Sequence, residues 1–346
     1  MAKTNLDPRE LRAALLRRLP QRLSASGELK LPAVPGLRDE YVARLARIFA
    51  RYGRPLNATQ TAALGELLDR KLKDGFKASP YASILVRYET DPPPKTTLSY
   101  KVAVRVSTMA DQYAEWVAER KPPLFGSHPD TKVMDLAASL GDAKDAPVLD
   151  IGAGTGRNTL PLARAGHPTD AVEFSPDLAR ILKADIESSG LPVRVWEGDV
   201  LDSSLDLPTE HYRLVIACEV VSHFRSVAEV RALFERVKAL LVPGGLFAFS
   251  VFLPTAGYKP DTLSRELSEI FWCSLYTRDE MASSAGGLGF DRISDESVFE
   301  YEKSRLPESA WPPTGWFAEW TQGIDMFDLP AGKAPIDMRW LVYRRK

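Results

Sequence analysis

The stretch Val148-Leu-Asp-Ile-Gly-Ala-Gly-Thr-Gly156 decides the fold: a short apolar run ends in three glycines at alternate positions, and a helical pattern follows. Glycine lets the backbone turn tightly and approach a ligand, so this strand, turn and helix read as a nucleotide-type site. Dinucleotide-binding oxidoreductases share such a turn. Two local details point elsewhere. Position 157 is Arg, where Gly-x-Gly-x-x-Gly requires its third glycine, and Asp150 sits just before the turn. A carboxylate there suits a cofactor bearing an ammonium group and would repel a pyrophosphate.

Outward from this stretch, short apolar strands alternate with helices, which favours a parallel α/β sheet. Strands are expected at 147–151, 169–174, 192–196, 213–218 and 245–252, with helices at about 156–165, 177–188 and 226–240. Phe290 to Tyr301 and Met338 to Tyr343 are further strands, separated by Leu306–Pro335. Upstream the pattern is mixed. Residues 8–19, 39–52 and 57–76 read as helices; in the second, Tyr41, Val42, Leu45, Ile48 and Phe49 share one face. Residues 81–88 and 97–106 read as strands joined by the turn Asp91-Pro-Pro-Pro-Lys95, and helices follow at about 107–120 and 130–140. The expected domains are 1–106, a helical or α+β unit serving as cap or dimerisation element, and 107–346, with an insertion at about 306–335.

Hydrophobic residues at 45% and charged residues at 26% describe an ordinary globular chain of 346 residues that can bury a real core, and disorder is not expected. Cys218 and Cys273 are too few for a disulfide framework or a metal site, and suit the cytoplasm. Charged residues interrupt the N-terminal leucines, so neither a signal peptide, a membrane span nor membrane association is expected. The net charge of −1 hides an asymmetry: residues 1–80 carry 16 Lys and Arg against 8 Asp and Glu. A basic arm can attract nucleic acid, but a solvated helix face is the simpler reading.

From Val148 to about Phe252 the chain resembles the class I, Rossmann-like S-adenosylmethionine-dependent methyltransferases, through motifs in the family's order. Glu173, in Asp170-Ala-Val-Glu-Phe174, stands where the family's acid accepts hydrogen bonds from both ribose hydroxyls. In Glu197-Gly-Asp-Val200, the resemblance implies that Asp199 takes the adenine amino group and the Val200 amide a ring nitrogen. Ala217-Cys-Glu-Val-Val-Ser-His-Phe224 is similar to the Glu-x-x-x-His pattern of ubiquinone-pathway O-methyltransferases, and Leu240-Leu-Val-Pro-Gly-Gly-Leu246 looks like the turn before the fifth strand. The family fold is a doubly wound, mostly parallel α/β sheet of seven strands with the last antiparallel, here preceded by a smaller α+β domain. Its cofactor would be S-adenosyl-L-methionine, leaving as S-adenosyl-L-homocysteine.

Expected cofactor contacts are therefore Asp150, Gly152, Ala153, Gly154, Glu173, Phe174, Asp199, Val200 and Cys218, with Tyr113 of the preceding helix folding over the methionine end. His223 and Glu219 are the candidate catalytic residues, and His128, Trp316 and Trp320 candidate walls of an acceptor pocket. No metal ligand set is recognised. The expected activity is methyl transfer to an O, N or S nucleophile of a small molecule, the chain acting as a possible homodimer. The alternatives are RNA or a peptide held by the basic N-terminal region, which lacks the basic–aromatic interleaving of nucleic-acid modules, and a NAD-type oxidoreductase.

Overall fold

The computed structural model describes residues 7–346 except 256 and 331. The chain divides into two compact units, Met1–Thr108 and Met109–Lys346.

In the first unit, helix α1 (Pro8–Leu16) precedes strand β1 (Ala25–Pro32), helices α2 (Arg38–Arg51) and α3 (Ala58–Ala78), and strands β2 (Ser83–Thr90) and β3 (Leu98–Arg105). The strands pair antiparallel in the order β1-β2-β3. Tyr41, Leu45 and Phe49 of α2 and Leu64, Leu68 and Leu72 of α3 recur at helical spacing and are buried against Ile84 and Val86 of β2. Each fully buried side chain of this kind contributes about 1.5–3 kcal/mol. Asn57 and Gln60 form a reciprocal capping box that starts α3. Strand β1 was not expected: its alternation is confined to Leu29 and Leu31 against Glu28 and Lys30, and Gly27 and Pro32 read as turn residues.

The second unit begins with α4 (Met109–Glu119) and α5 (Thr131–Ala138), and then alternates: β4 (Val148–Ile151), α6 (Thr159–Arg164), β5 (Thr169–Glu173), α7 (Pro176–Ser189), β6 (Arg194–Glu197), β7 (Tyr212–Ala217), α8 (Val227–Leu240) and β8 (Leu241–Pro254). After α9 (Thr262–Ile270) and α10 (Arg278–Ala285) come β9 (Phe290–Ser297), α11 (Val298–Arg305), α12 (Phe317–Thr321) and β10 (Ile336–Arg345). The seven-stranded sheet has the order β6-β5-β4-β7-β8-β10-β9, parallel from β6 to β8, with β10 antiparallel to both neighbours. Its central strands are covered on both faces: Leu149, Val215 and Phe249 enter one core with α8, while Val148, Leu214 and Ala248 enter the other with α5 and α12.

Two expectations change here. The strand predicted from Phe290 to Tyr301 stops at Ser297, whose side chain accepts from Glu300 N and starts α11. Helices α9 and α10 were not anticipated; Asp261 and Thr277 cap them. The order β5-β4-β7 reverses direction at β4, and such a switch point opens a crevice at the carboxyl ends of the parallel strands.

Candidate functional site

At that crevice lies a cavity of about 470 Å³, whose described lining residues all belong to the second unit. Its floor is the loop after β4. Gly152 and Ala153 donate their N–H groups to Val172 O at 2.8 and 3.1 Å, which pins the turn to β5. Gly152 has φ +70°, and a Cβ there would overlap Val220. Only glycine fits. Asp150 is buried, accepts from Thr159 Oγ1 at 2.6 Å, and is pushed up to about 7 by desolvation against the opposing effects of Thr159 and Arg157.

Glu173 ends β5, and its two carboxylate oxygens accept from Gly154 N and Ser175 N, each at 2.7 Å. Burial raises its pKa, and those backbone donors oppose the rise. Each oxygen keeps a lone pair, so a diol can still be bound. Asp199, after β6, is exposed and accepts from Leu201 N at 2.9 Å, while Val200 is buried. Phe174 lines the mouth, and Cys218, its thiol raised by burial, lines the wall after β7.

Arg157 links the segments at one end of the cavity. Its Nη1 lies 2.5 Å from Asp130 Oδ1 and its Nη2 2.8 Å from Glu219 Oε1, with Asn158 Nδ2 also donating to Asp130 at 2.9 Å. Burial would lower the guanidinium's pKa, but Asp130 and Glu219 outweigh it and raise it. Glu219 occupies left-handed backbone space at φ +61°, held by Ser250 Oγ, which accepts its N–H at 2.7 Å, and by Ser222 Oγ, which donates to its carbonyl at 2.8 Å. Burial pushes Glu219 up to about 7 despite Arg157. Three acids, Asp130, Asp150 and Glu219, thus face one arginine, and the cluster favours a cationic ligand.

The opposite compartment is aromatic. On α4, Met109, Tyr113 and Trp116 face the cavity, followed by Arg120, a stripe at helical spacing. Trp116 stacks on Trp272 at 5.0 Å with 24° between the planes, and carries the Arg120 guanidinium 3.8 Å from its ring centroid. Trp316 approaches Trp116 at 6.3 Å. Trp272 itself has φ +58°. Tyr113 Oη and His223 Nε2 are 3.1 Å apart, and desolvation pushes His223 down to about 4, so its ring is neutral at pH 7.

All the expected residues but one line this cavity. His128 does not: it is exposed, lies in a separate shallow depression with Asp135 and Arg305, and has Nδ1 3.3 Å from Ser127 Oγ. Gly126, at φ +86°, separates it from Phe125, which does line the cavity. Trp320 lines it but is mostly buried, and its Nε1 donates to Phe271 O at 3.3 Å. Sequence reasoning missed Asp130, Trp116 and Trp272, and read Arg157 only as an absent glycine. Trp116 was detectable as the residue one helical turn beyond Tyr113.

Residues 148–245 match a family model described as a methyltransferase domain. That stretch is similar to a methyltransferase domain and carries β4 to the start of β8, the parallel part of the seven-stranded sheet. The ubiquinone biosynthesis O-methyltransferase of Methylobacterium sp. (strain 4-46) is 31% identical over 153 residues, covering 41% of this chain and 59% of that protein. Its namesake from Paramagnetospirillum magneticum (strain ATCC 700264 / AMB-1) is 32% identical over 111 residues, 32% of this chain and 41% of that one. The chain thus spans less than two thirds of these relatives. Among solved structures, phosphoethanolamine N-methyltransferase 2 of Haemonchus contortus, with S-adenosyl-L-methionine, matches with a TM-score of 0.50 at 14% identity, over 72% of this chain and 62% of that one. That likeness concerns the fold. The residues present fit S-adenosyl-L-methionine, the cofactor that the sequence resemblance implies: a buried cluster of three acids and one arginine for its cationic end, a side-chain-free approach at Gly152, and a two-oxygen acid at Glu173.

Proposed function

We propose that the protein transfers a methyl group from S-adenosylmethionine to a nucleophilic atom of a small, ring-bearing apolar molecule. The observation that carries this reading is that the carboxylates and glycines of the donor end and the aromatic compartment open into one cavity. The cofactor, when bound, supplies an electrophilic methyl group on a sulfonium. Glu173 holds the ribose hydroxyls, Asp199 and the Val200 amide hold adenine, and the cluster of Asp130, Asp150, Arg157 and Glu219 orients the charged methionine end. Phe125, Trp116, Trp272 and Trp316 exclude water and align the acceptor for in-line attack, the main source of acceleration in such a displacement. Neutral His223, bonded to Tyr113, can receive a proton from a hydroxyl acceptor through that pair. The O-methyltransferase relatives favour oxygen as the nucleophile. Two buried cysteines agree with a reducing compartment such as the cytoplasm.

The test supplies methyl-labelled cofactor and a cell extract split by size, followed by panels of phenols, thiols and amines. Label in the small-molecule fraction, with phenols preferred, is expected. Label confined to RNA or protein, or thermal protection by nicotinamide dinucleotides and none by S-adenosylhomocysteine, would overturn the reading.

A further inference from the structure

Of the ten large apolar side chains that stand exposed among the described residues, five fall in one stretch of α1 and the 3-10 turn after it: Leu11, Leu15, Leu16, Leu19 and Leu23, 39–74% exposed. Two of the remaining five, Phe174 and Phe271, line the cavity and have a use there. No residue of α1 or of the turn Leu19–Arg22 is buried. The spacing Leu11, Leu15, Leu16, Leu19 gathers these side chains on one side. Around them stand Arg9, Arg12, Arg17, Arg18 and Arg22 against only Asp7 and Glu10, and none of the five arginines forms an ion pair among the described residues. The stretch is not a loose tail. Gly53, at φ +70°, lies so close to the turn that a Cβ there would stand 2.7 Å from the backbone of Pro20 and Gln21. The leucines are thus held outward on a fixed mount.

We propose that this leucine and arginine stretch docks the protein onto an anionic lipid surface. A short helix with an apolar face and arginines at its borders lies in the plane of a membrane interface, its leucines reaching the acyl boundary and its guanidinium groups meeting the phosphates. The whole first unit extends that field, with 20 Lys and Arg against 10 Asp and Glu. A protein partner would have to bring a groove matched to a convex row of leucines broken by Pro20; a fluid lipid surface needs no matching shape. Interfacial docking requires no spanning segment, and no helix among the described residues is long and apolar enough to cross a membrane.

Cosedimentation of the full chain with vesicles tests this. Vesicles of phosphatidylcholine with equimolar phosphatidylglycerol should retain the protein, vesicles of phosphatidylcholine alone should not, and high salt should release it. Leu15→Asp with Leu16→Asp, at exposed positions that leave the fold intact, should lower the partition coefficient about a hundredfold. Arg17→Ala with Arg18→Ala should lower it about tenfold. No retention on anionic vesicles, or equal retention of the leucine variant, overturns the proposal. So does a wild-type dimer that the leucine variant splits into monomers without any vesicle binding, since a second copy would then be the partner.

Discussion

In the proposed function Glu173 serves the protein and the cofactor's ribose with the same two oxygens. Because it accepts the N–H groups of Gly154 and Ser175, Glu173→Ala orphans two buried donors and, on the proposed reading, removes the ribose acceptor as well. Folding stability should fall by about 1–3 kcal/mol in denaturant titration, and cofactor affinity by about 2–4 kcal/mol in calorimetry. Glu173→Gln should recover part of the first loss and little of the second. Asp150 and Glu219, both pushed up to about 7, make binding of a cation depend on pH. An acid whose folded pKa is raised stays protonated up to that pKa, so the cluster gains its negative charge only as pH rises through about 7. Affinity for S-adenosylmethionine measured at about pH 6 and pH 8 should therefore increase about tenfold per responsible group; an unchanged affinity would mean that neither acid meets the cofactor's charge.

Among the elements, the loop between β4 and α6 has the least freedom. Gly152→Ala would force a β-carbon into Val220 at a backbone angle that L-residues avoid, so β4 and the segment carrying Glu219 must move apart. A loss of about 2–4 kcal/mol in unfolding free energy and of measurable cofactor binding is expected from chemical denaturation and calorimetry. The alternation of β4 to β8 was readable because strands covered on both faces are short, mainly apolar runs, as Leu214–Ala217 is and as Val148–Ile151 is but for Asp150. Strand β1 and helix α10 escaped because their signals are weak: two leucines in β1, and in α10 a polar run buried only at Met281, Ser284 and Ala285. Ser297 shows how one cap decides a boundary that hydrophobicity cannot.

For the whole molecule, every described residue around the cavity belongs to Met109–Lys346. A fragment of residues 109–346 should bind S-adenosylmethionine with the affinity of the full chain, within about twofold by calorimetry, while losing retention on anionic vesicles. A fragment that folds by circular dichroism yet binds the cofactor markedly more weakly would assign the first unit a part in the site.

What the sequence by itself determined is the cavity floor that the proposed function assigns to the methyl donor. Glycines after a strand, an acid ending the next strand and an acid after the third are local features, and the parallel sheet turns even spacing into nearness because strand ends share one edge. Only tertiary structure decided the rest. Arg157 finds Asp130 and Glu219 at separations of 27 and 62 residues. Tyr113 meets His223 across 110 residues, and Trp116, Trp272 and Trp316 arrive from three separate segments. No period or motif encodes such meetings, because they depend on how α4 and the loops after β7, α9 and α11 pack over the sheet. The same tertiary arrangement leaves His128 outside the cavity.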